Sequence, residues 1–402
     1  MARTVATESA WAVVRGCVGA SGGLHAAADS SLYPHIWTRD VGFAALGLVA
    51  ATSSPGDLEP VRQSLLLLAK AQSELGRLPL KVDDRGNEVR ENSAGIDAGP
   101  WFAIANAALA DRGIVDTELS QAAERGLEWT AHLDVDGTGL IVSPESGDWA
   151  DMMPFRHHVL YTNVVYLIAC RAHARLSEDR DRWIRRAEVL GRAIELRFTV
   201  DGVEADEHQR RARRLATVHP EWERTYRYLG RWGQLPYLLP YVGFRQSSNR
   251  FDVVGNSLAV LAGIGGEGRG RAVVDYAEAV GVASPVPAKT LYPPIESGDP
   301  DFRDLLNWRN LCQPHHYQNG GAWPFTGALY TCMMVDRGRA ERASQLLGEL
   351  ERAAVESDYG EWMHGLTGAS MGESRQLWSA AGLLWAEHAV RGGQVYLPGR
   401  SL

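Results

Sequence analysis

The sequence predicts an all-α protein folded as an (α/α)6 barrel, in which an inner ring of six helices lies inside an outer ring of six. Two observations on the 402-residue chain support this fold class. Apolar residues recur with helical spacing along almost the whole chain, and alternating strand patterns are nearly absent. The predicted helices also alternate about six times between two kinds. One kind is apolar on nearly all sides, which is typical of a buried helix, and the other is charged on one face, which is typical of a helix that covers a core.

Each helix is assigned from its apolar spacing, in chain order. The twelve predicted helices are 5–18, 39–52, 57–75, 97–112, 116–133, 160–176, 179–198, 253–264, 268–281, 320–336, 340–356 and 373–390. The buried kind comprises 39–52, 97–112, 160–176, 253–264, 320–336 and 373–390. Residues 203–250 are predicted to hold one further helix and an irregular loop. The glycine-rich stretch 263–270 follows a helix and indicates a helix end and turn rather than a phosphate loop.

A row of two-helix repeats in an open solenoid could produce the same alternation. The loops favour the closed barrel, because those that lead into the buried helices are long and rich in Trp, Asp, Arg, His and Asn, whereas those that leave them are short. Long loops on one face of a rigid scaffold usually carry function. We therefore expect a single catalytic domain over residues 1–402.

Composition excludes several classes of protein. The apolar fraction of 45% and the charged fraction of 22% are those of a soluble globular protein. A net charge of −8 argues against a nucleic-acid partner. No CxxC spacing joins Cys17, Cys170, Cys312 and Cys332, so neither a zinc site nor a redox motif is predicted. No segment has the pattern of a signal peptide or of a membrane span, which predicts a cytoplasmic protein. No cofactor is predicted. Whether the protein forms a homo-oligomer stays open.

The segments that lead into the six buried helices carry the candidate binding residues. In a closed ring these segments meet at one end of the axis, and aromatic, amide and charged side chains gathered there suit a small carbohydrate substrate. The candidate substrate-binding residues are Tyr33, Trp37, Arg39, Asp40, Trp101, Asp148, Trp149, Asp151, Arg156, Asn256, His316, Tyr317, Gln318, Asn319, Trp323, Glu373, Gln376 and Trp378. Taken singly each has a structural explanation; for example, Asp40 and Asp97 could cap helices.

The most informative stretch is residues 316–324, with the sequence HYQNGGAWP. Adjacent glycines let the backbone approach a ligand closely. Tyr317 and Trp323 offer flat apolar faces with a polar edge, and Gln318 and Asn319 supply donors and acceptors. These groups suit a sugar, which stacks on one face and forms hydrogen bonds around its rim. A tight turn ahead of a core helix is the alternative interpretation.

Hydrolysis of a glycosidic bond requires two carboxyl groups, one to protonate the leaving oxygen and one to activate water or attack the sugar. Asp97 and Glu361 are the best pair in this chain. The chain neighbours of Asp97 are small and apolar, and poor solvation would keep its carboxyl protonated. Glu361 lies in a glycine-rich loop whose backbone can approach a substrate. Asp40, Asp148, Asp151 and Glu373 are rivals, expected to hold sugar hydroxyls or to fix Arg39 and Arg156.

With these motifs the chain resembles the six-hairpin (α/α)6-barrel glycosidases, and most closely the neutral and alkaline invertases, glycoside hydrolase family 100, with similarity to mannosylglycerate and glucosylglycerate hydrolases. The resemblance covers residues 30–390. Residues 316–324 are similar to the H-x-x-N-G-G-x-W-P signature, 37–40 to the aromatic-x-R-D segment and 252–258 to the L-G-N-L/S run. Residues 93–101 resemble the segment that ends D-S-G-L-W-W, which implies that Asp97 is the general acid.

The last match runs from Glu361 to Trp378 and implies that Glu361 is the general base of an inverting enzyme. Two departures bear on the substrate. Residues 362–364 are Trp-Met-His where the family has Tyr-Tyr-Asp, or Tyr-Phe-Asp, and the chain is shorter than the plant-type invertases.

The sequence therefore predicts an inverting glycoside hydrolase that cleaves a small α-glycoside, with sucrose as the first candidate. Glucosylglycerate or mannosylglycerate hydrolysis and an amylo-α-1,6-glucosidase-like activity are alternatives. A sugar 2-epimerase on the same barrel would need a histidine pair, for which the candidates are His157, His158, His315, His316 and His364. These histidines lack the i, i+4 spacing of a helical metal site, so no metal is predicted. A sugar-binding barrel without activity is a third class.

Overall fold

The computed structural model describes residues 4–91 and 95–400. Residues 93 and 94 of the predicted segment 93–101, and residue 92 before it, lie outside the described residues. The α-helices of the described chain are α1 (Val5–Gly16), α2 (Thr38–Ala51), α3 (Pro55–Lys70), α4 (Ala98–Ala110), α5 (Thr117–Ala131), α6 (Leu160–His173), α7 (Arg180–Phe198), α8 (Asp206–Ala216), α9 (Pro220–Leu229), α10 (Val253–Leu261), α11 (Gly266–Ala279), α12 (Pro324–Asp336), α13 (Ala340–Glu356) and α14 (Leu377–Gly392).

Six helices form a closed inner ring. α2, α4, α6, α10, α12 and α14 each pack against the next, and α14 packs against α2. Nearly all of their residues are buried, because these helices are apolar around their whole circumference. α1, α3, α5, α7, α11 and α13 pack outside them and bury one face each. The predicted (α/α)6 barrel is confirmed, and the open solenoid is wrong because the ring closes.

Helix α2 and helix α14 approach closely where small residues meet. A Cβ atom on Gly47 would lie 1.9 Å from the carbonyl oxygen of Ala381. No side chain fits in that space, so glycine at this position allows the two inner helices to come together and close the ring.

Residues 203–250 differ from the prediction, since they contain two helices, α8 and α9, instead of one. Pro220 is the first residue of α9. Proline has no backbone N–H and cannot continue a preceding helix, but its fixed φ suits the first turn of a new one. The two short helices pack against each other as an insertion between α7 and α10.

Short antiparallel ladders fix the segments that lead into the inner helices. They pair β1 (Ile36–Trp37) with β2 (Lys81–Val82), β3 (His158–Val159) with β4 (Tyr241–Val242), β5 (Phe251–Asp252) with β6 (Leu291–Tyr292) and β7 (Trp362–Met363) with β8 (Ser370–Met371). β1, β3 and β5 end directly before α2, α6 and α10. Because every outer helix returns the chain, these ladders lie at the end of the ring where the inner helices begin.

Two further observations concern the cysteines and the length of the helices. Cys170 and Cys332 are free thiols with no exposed surface, so both are small residues of the core. Among the described helices, none combines the length and the apolar character needed to cross a bilayer.

Candidate active site

Glu361 lies directly before β7, at the end of the barrel where the inner helices begin. Its Oε1 atom accepts hydrogen bonds from the hydroxyls of Tyr33 at 2.8 Å and Tyr317 at 3.2 Å. Its Oε2 atom accepts from the backbone N–H of Glu373 at 3.3 Å. Burial raises the pKa of Glu361 to about 7, although these hydrogen bonds oppose the rise. The carboxyl group can therefore change its protonation state near neutral pH.

The two tyrosines that hold Glu361 are neutral hydrogen-bond donors. Both Tyr33 and Tyr317 are partly exposed. Burial, followed by the nearby charge of Glu361, raises the pKa of each hydroxyl well above its ordinary value. Both therefore stay protonated and act as neutral donors to the carboxyl group, without a cation on its oxygens.

Asp97 has a different environment from the one its chain neighbours suggest. Its side chain has no exposed surface, and Arg39 holds both carboxyl oxygens, with Nε to Oδ2 at 2.7 Å and Nη2 to Oδ1 at 3.0 Å. The hydroxyl of Tyr161 donates to Oδ2 at 2.8 Å and accepts from the indole of Trp101 at 2.7 Å. The surroundings of Asp97 are therefore not apolar as its chain neighbours suggest, because a guanidinium contacts both of its carboxyl oxygens.

The Arg39–Asp97 pair follows from the ring. Arg39 is in the first turn of α2, Asp97 immediately precedes α4, and α2 packs against α4. Two residues at the same end of neighbouring inner helices can meet even though they are distant along the chain. This shared position was the sequence signal that could have predicted the pair.

Asp151 has the features expected for a proton donor. It is partly exposed, and its Oδ1 atom accepts from the amide of Gln318 at 3.1 Å. Burial is the largest influence on the pKa of Asp151 and raises it, the charge of Asp97 adds to the rise, and Arg39 and the amide bond oppose it. No side-chain cation hydrogen-bonds to this carboxyl among the described residues. Asp151 can therefore hold a proton at a higher pH than an ordinary aspartate.

Consecutive residues of the 316–324 stretch connect the two carboxyl groups. Tyr317 donates to Glu361, and Gln318 donates to Asp151 and to the carbonyl of Trp149. The amide oxygen of Gln318 also accepts from the backbone of Met152 at 2.9 Å. The charge of Asp151 raises the pKa of Glu361, so the two carboxyl groups are near enough to influence each other. The structure thus brings Glu361 and Asp151 to one place.

The remaining rival carboxylates have separate tasks. Asp148 accepts from the backbone of Ala150 at 2.9 Å and from the hydroxyl of Thr162 at 2.7 Å, which holds the turn before Asp151. Burial raises the pKa of Asp40 to about 7 and that of Asp148 to about 6. Glu373 is partly exposed and accepts from Ser30 at 3.2 Å.

Several predicted binding residues have polar side-chain groups that already form hydrogen bonds within the protein. The amide of Asn256 bonds to the backbone of Leu238 and Asp252, and the amide of Asn319 bonds to the backbone of Ile295 and Cys312. The indole of Trp323 donates to the carbonyl of Tyr317. Trp101 is occupied by Tyr161, as described above. Arg156 pairs with Glu145 and Gln246 and lies over the ring of Tyr241.

Three predicted binding residues keep buried donors without a hydrogen-bond partner: the indole N–H groups of Trp37 and Trp378 and the side-chain amide of Gln376. Trp37 packs edge-on to Tyr33, and Trp378 stacks on Phe325 with ring centroids 4.5 Å apart. A buried donor without a partner costs free energy, and a ligand hydroxyl would remove that cost. A polar ligand that reached these donors would therefore gain hydrogen bonds that the protein leaves unmade.

The histidines fall into two groups. His157 and His158 pack against Trp222, and a set of atoms from Asp136, His157 and His158 lies within 4.8 Å of one another, close enough to hold a metal ion. However, Arg197 lies 3.5 Å from Nδ1 of His158, and the indole of Trp222 donates to Asp136. A guanidinium beside the imidazole favours a hydrogen-bonded cluster over a cation site.

The second group lies beside the candidate site. The ring of His316 packs 5.8 Å from Trp362, the residue after Glu361, and 4.9 Å from His364. His315 lies 6.4 Å from His364. Of the five predicted histidines, the second group alone borders Glu361.

Comparisons with known proteins agree with this fold. Residues 216–392 match the family described as alkaline and neutral invertase. A segment of 90 residues, 22% of this chain, is 33% identical to glucosylglycerate hydrolase of Mycolicibacterium hassiacum and spans only 19% of that protein.

Two solved structures are similar over most of the chain. The GH63 mannosylglycerate hydrolase of Thermus thermophilus, in complex with glucose, superimposes with a TM-score of 0.66 at 17% identity, covering 95% of this chain and 100% of that one. A bacterial glucoamylase complexed with acarbose gives a TM-score of 0.64 at 13% identity, covering 98% of this chain and 56% of that one. The resemblance to the six-hairpin glycosidases is confirmed.

Proposed function

We propose that this protein is a glycoside hydrolase that cleaves a small α-glycoside with inversion at the anomeric carbon. One observation carries the proposal. Two carboxyl groups whose pKa values are raised by burial, Glu361 and Asp151, share one end of the barrel and are held by neutral donors. The family match and the named relatives support the same reaction class.

In the proposed mechanism Asp151 protonates the departing oxygen while Glu361 accepts a proton from the attacking water. The acid role is assigned to Asp151 and not to Asp97, because a proton donor must reach the substrate. Asp97 is fully buried and bound by Arg39 on both oxygens, whereas Asp151 is partly exposed and bound by an amide. In this mechanism Asp97 holds Arg39 and Tyr161 in position through hydrogen bonds.

For sugar binding we propose Tyr33, Trp37, Gln376 and Trp378, whose polar groups are free or already point at Glu361. An indole or amide donor that is buried without a partner gains a hydrogen bond when a sugar hydroxyl arrives. Trp37 and Trp378 also offer aromatic surface for the ring. We leave Asn256 and Asn319 out of this set, because backbone groups occupy their amides.

Glucosylglycerate and mannosylglycerate become the first substrates to test, since they appear in the names of a sequence relative and a structural neighbour. Sucrose is next, as the family description suggests. The cytoplasm stays the proposed location, because four free cysteines are usual in a reducing compartment.

The decisive experiment follows turnover of these glycosides by proton NMR and identifies the first-formed anomer. We expect the inverted anomer from the wild-type protein and loss of turnover in Glu361→Gln. A retained anomer would contradict the water-activating role of Glu361. Interconversion of free sugars without bond cleavage would favour the epimerase, and saturable binding without turnover of any glycoside would favour a binding protein.

A further inference from the structure

A cleft lies on the insertion between α7 and α10, away from the candidate active site. It encloses about 720 Å³, and its walls come from α9, the turn after α9, the loop 243–250 and residues 299–301. Glu361, Asp151 and Tyr33 do not line it. The volume is within the range of small-molecule binding sites. The cleft is therefore large enough for a ligand of its own.

Aromatic side chains line one part of this cleft. Tyr228 is 58% exposed, and the guanidinium of Arg231 lies over its ring at 5.1 Å. Trp232, four residues along, is partly exposed. Among the described residues, neither the Tyr228 hydroxyl nor the Trp232 indole N–H has a hydrogen-bond partner. The cleft thus presents aromatic planes with unoccupied polar edges.

Free polar groups of both kinds surround these rings. Arg224 and Arg245 are exposed donors with no ion pair or hydrogen bond to another described residue. On the acceptor side, the side chains of Glu221 and Asn249 also have no described partner. Arg250, by contrast, pairs with Asp299.

We propose that this cleft is a second carbohydrate-binding site, which holds a neutral oligosaccharide independently of hydrolysis. Sugar hydroxyls both donate and accept hydrogen bonds, and sugar rings stack on aromatic faces, so the unoccupied donors, acceptors and rings match this ligand class. A purely anionic ligand would fit less well, because Glu221 and Asp301 share the lining with the arginines.

The cleft also contacts the segment that carries the proposed acid. Gln246 lines the cleft and accepts a hydrogen bond from Arg156, which pairs with Glu145. Glu145 and Arg156 flank Asp151 in the chain. An occupied cleft would therefore fix the outer part of this segment.

The test measures binding without turnover. The Asp151→Asn protein is titrated with α-gluco-, α-manno- and fructo-trisaccharides, and the number of bound molecules is obtained by calorimetry and native mass spectrometry. We expect at least one trisaccharide to bind in an event that the double variant Tyr228→Ala/Trp232→Ala, made in the same background, loses. Any separate event at the proposed active site should be kept in that double variant.

A second variant covers misfolding of the first. Arg245→Ala removes an exposed donor without a partner and should weaken the same event about tenfold, as for a contact of roughly 1.4 kcal/mol. Leu75→Ala, at an 83% exposed position outside the cleft, is the matched control and should keep every binding event. Trisaccharide binding that is unchanged in both cleft variants, or no binding event that these variants remove, overturns the proposal. The same titrations with Glu361→Gln in place of Asp151→Asn should show the same cleft event, so the result does not depend on which carboxyl group is catalytic or on whether the other end of the barrel binds the same sugar.

Discussion

Replacing Asp151 by Asn should slow hydrolysis to an extent that depends on the leaving group. The substitution removes the proposed proton donor but keeps an oxygen that can accept from Gln318, as Oδ1 does at 3.1 Å. For an alkoxide leaving group such as glycerate we expect kcat to fall about 10²–10⁴-fold, the usual contribution of general acid catalysis. A glycosyl fluoride needs little protonation to leave, so its turnover should stay within about tenfold of wild type.

The same substitution at Asp97 should act on stability instead. Asp97→Asn takes a full charge away from a buried, bidentate pair with Arg39. Breaking such a pair typically costs about 3–5 kcal/mol of folding free energy. Asp151→Asn breaks no ion pair among the described residues, so its unfolding free energy should stay within about 1 kcal/mol of wild type. Chemical denaturation of both variants measures the difference.

The assay therefore combines two substrates with one unfolding curve for each variant. Glu361→Gln is the control, because a lost base should slow the fluoride and the alkyl glycoside alike. Asp151 is not the acid if Asp97→Asn unfolds like wild type and loses activity only on the alkyl glycoside, while Asp151→Asn is active on both. In that case the acid would be Asp97 despite its pairing with Arg39.

Three further predictions concern the base and the ring. In Tyr33→Phe, Glu361 loses its 2.8 Å donor, so the pKa of Glu361 should rise. The acidic limb of the kcat/KM profile should then move up by about one pH unit, with a smaller shift in Tyr317→Phe. An acidic limb at the wild-type pH in both variants would contradict the role assigned to Glu361. The pKa of Glu361 is raised from 4.5 to about 7, so the folded state keeps its proton longer than the unfolded state, and stability falls as pH rises across that interval. The free energy of unfolding of Glu361→Gln should therefore exceed that of wild type by about 1–3 kcal/mol at pH 8 and should equal it at pH 4. Denaturation curves that give the same difference between the two proteins at both pH values would argue against the raised pKa. Gly47→Ala should lower the free energy of unfolding by about 1–3 kcal/mol, because its Cβ would meet the carbonyl of Ala381. The control Gly348→Ala, on outer helix α13 with no atom nearer than 3.8 Å, should not lower it. Equal melting temperatures of the two variants would contradict the close approach of α2 and α14.

The fold could be predicted from the sequence because each inner helix carries its own signal. A helix that is apolar on all sides must be buried on all sides, and this pattern recurs six times with an amphipathic helix between. The insertion was harder, since α8 and α9 are short and strongly charged. Pro220 was the available signal that one helix ends there and another begins.

The site was predicted in part. Glu361 and the 316–324 stretch do meet, as their shared position before inner helices implies. The sequence did not predict which side chain contacts each carboxyl group. The partners of Asp97 and Asp151 come from segments that are distant in the chain and lead into other inner helices. Chain neighbours of Asp97 are apolar, yet its spatial neighbour is Arg39. Chain neighbours alone therefore did not predict the polar partner of this carboxyl group.

The chemistry of the partner separates the three carboxyl groups into different roles. A carboxylate held by a guanidinium on both oxygens gains its stability from being charged and cannot give or take a proton at modest cost. Tyrosine hydroxyls and amides also stabilise the charged form, but without a cation, and burial offsets their effect, as the raised pKa of Glu361 illustrates. In the proposed mechanism Asp97 therefore positions Arg39 and Tyr161, whereas Glu361 and Asp151 exchange protons with the substrate and water. If this reasoning holds, introducing a cation next to Asp151, as Gln318→Arg would do, should lower the pKa of Asp151 and abolish general acid catalysis while turnover of the glycosyl fluoride persists.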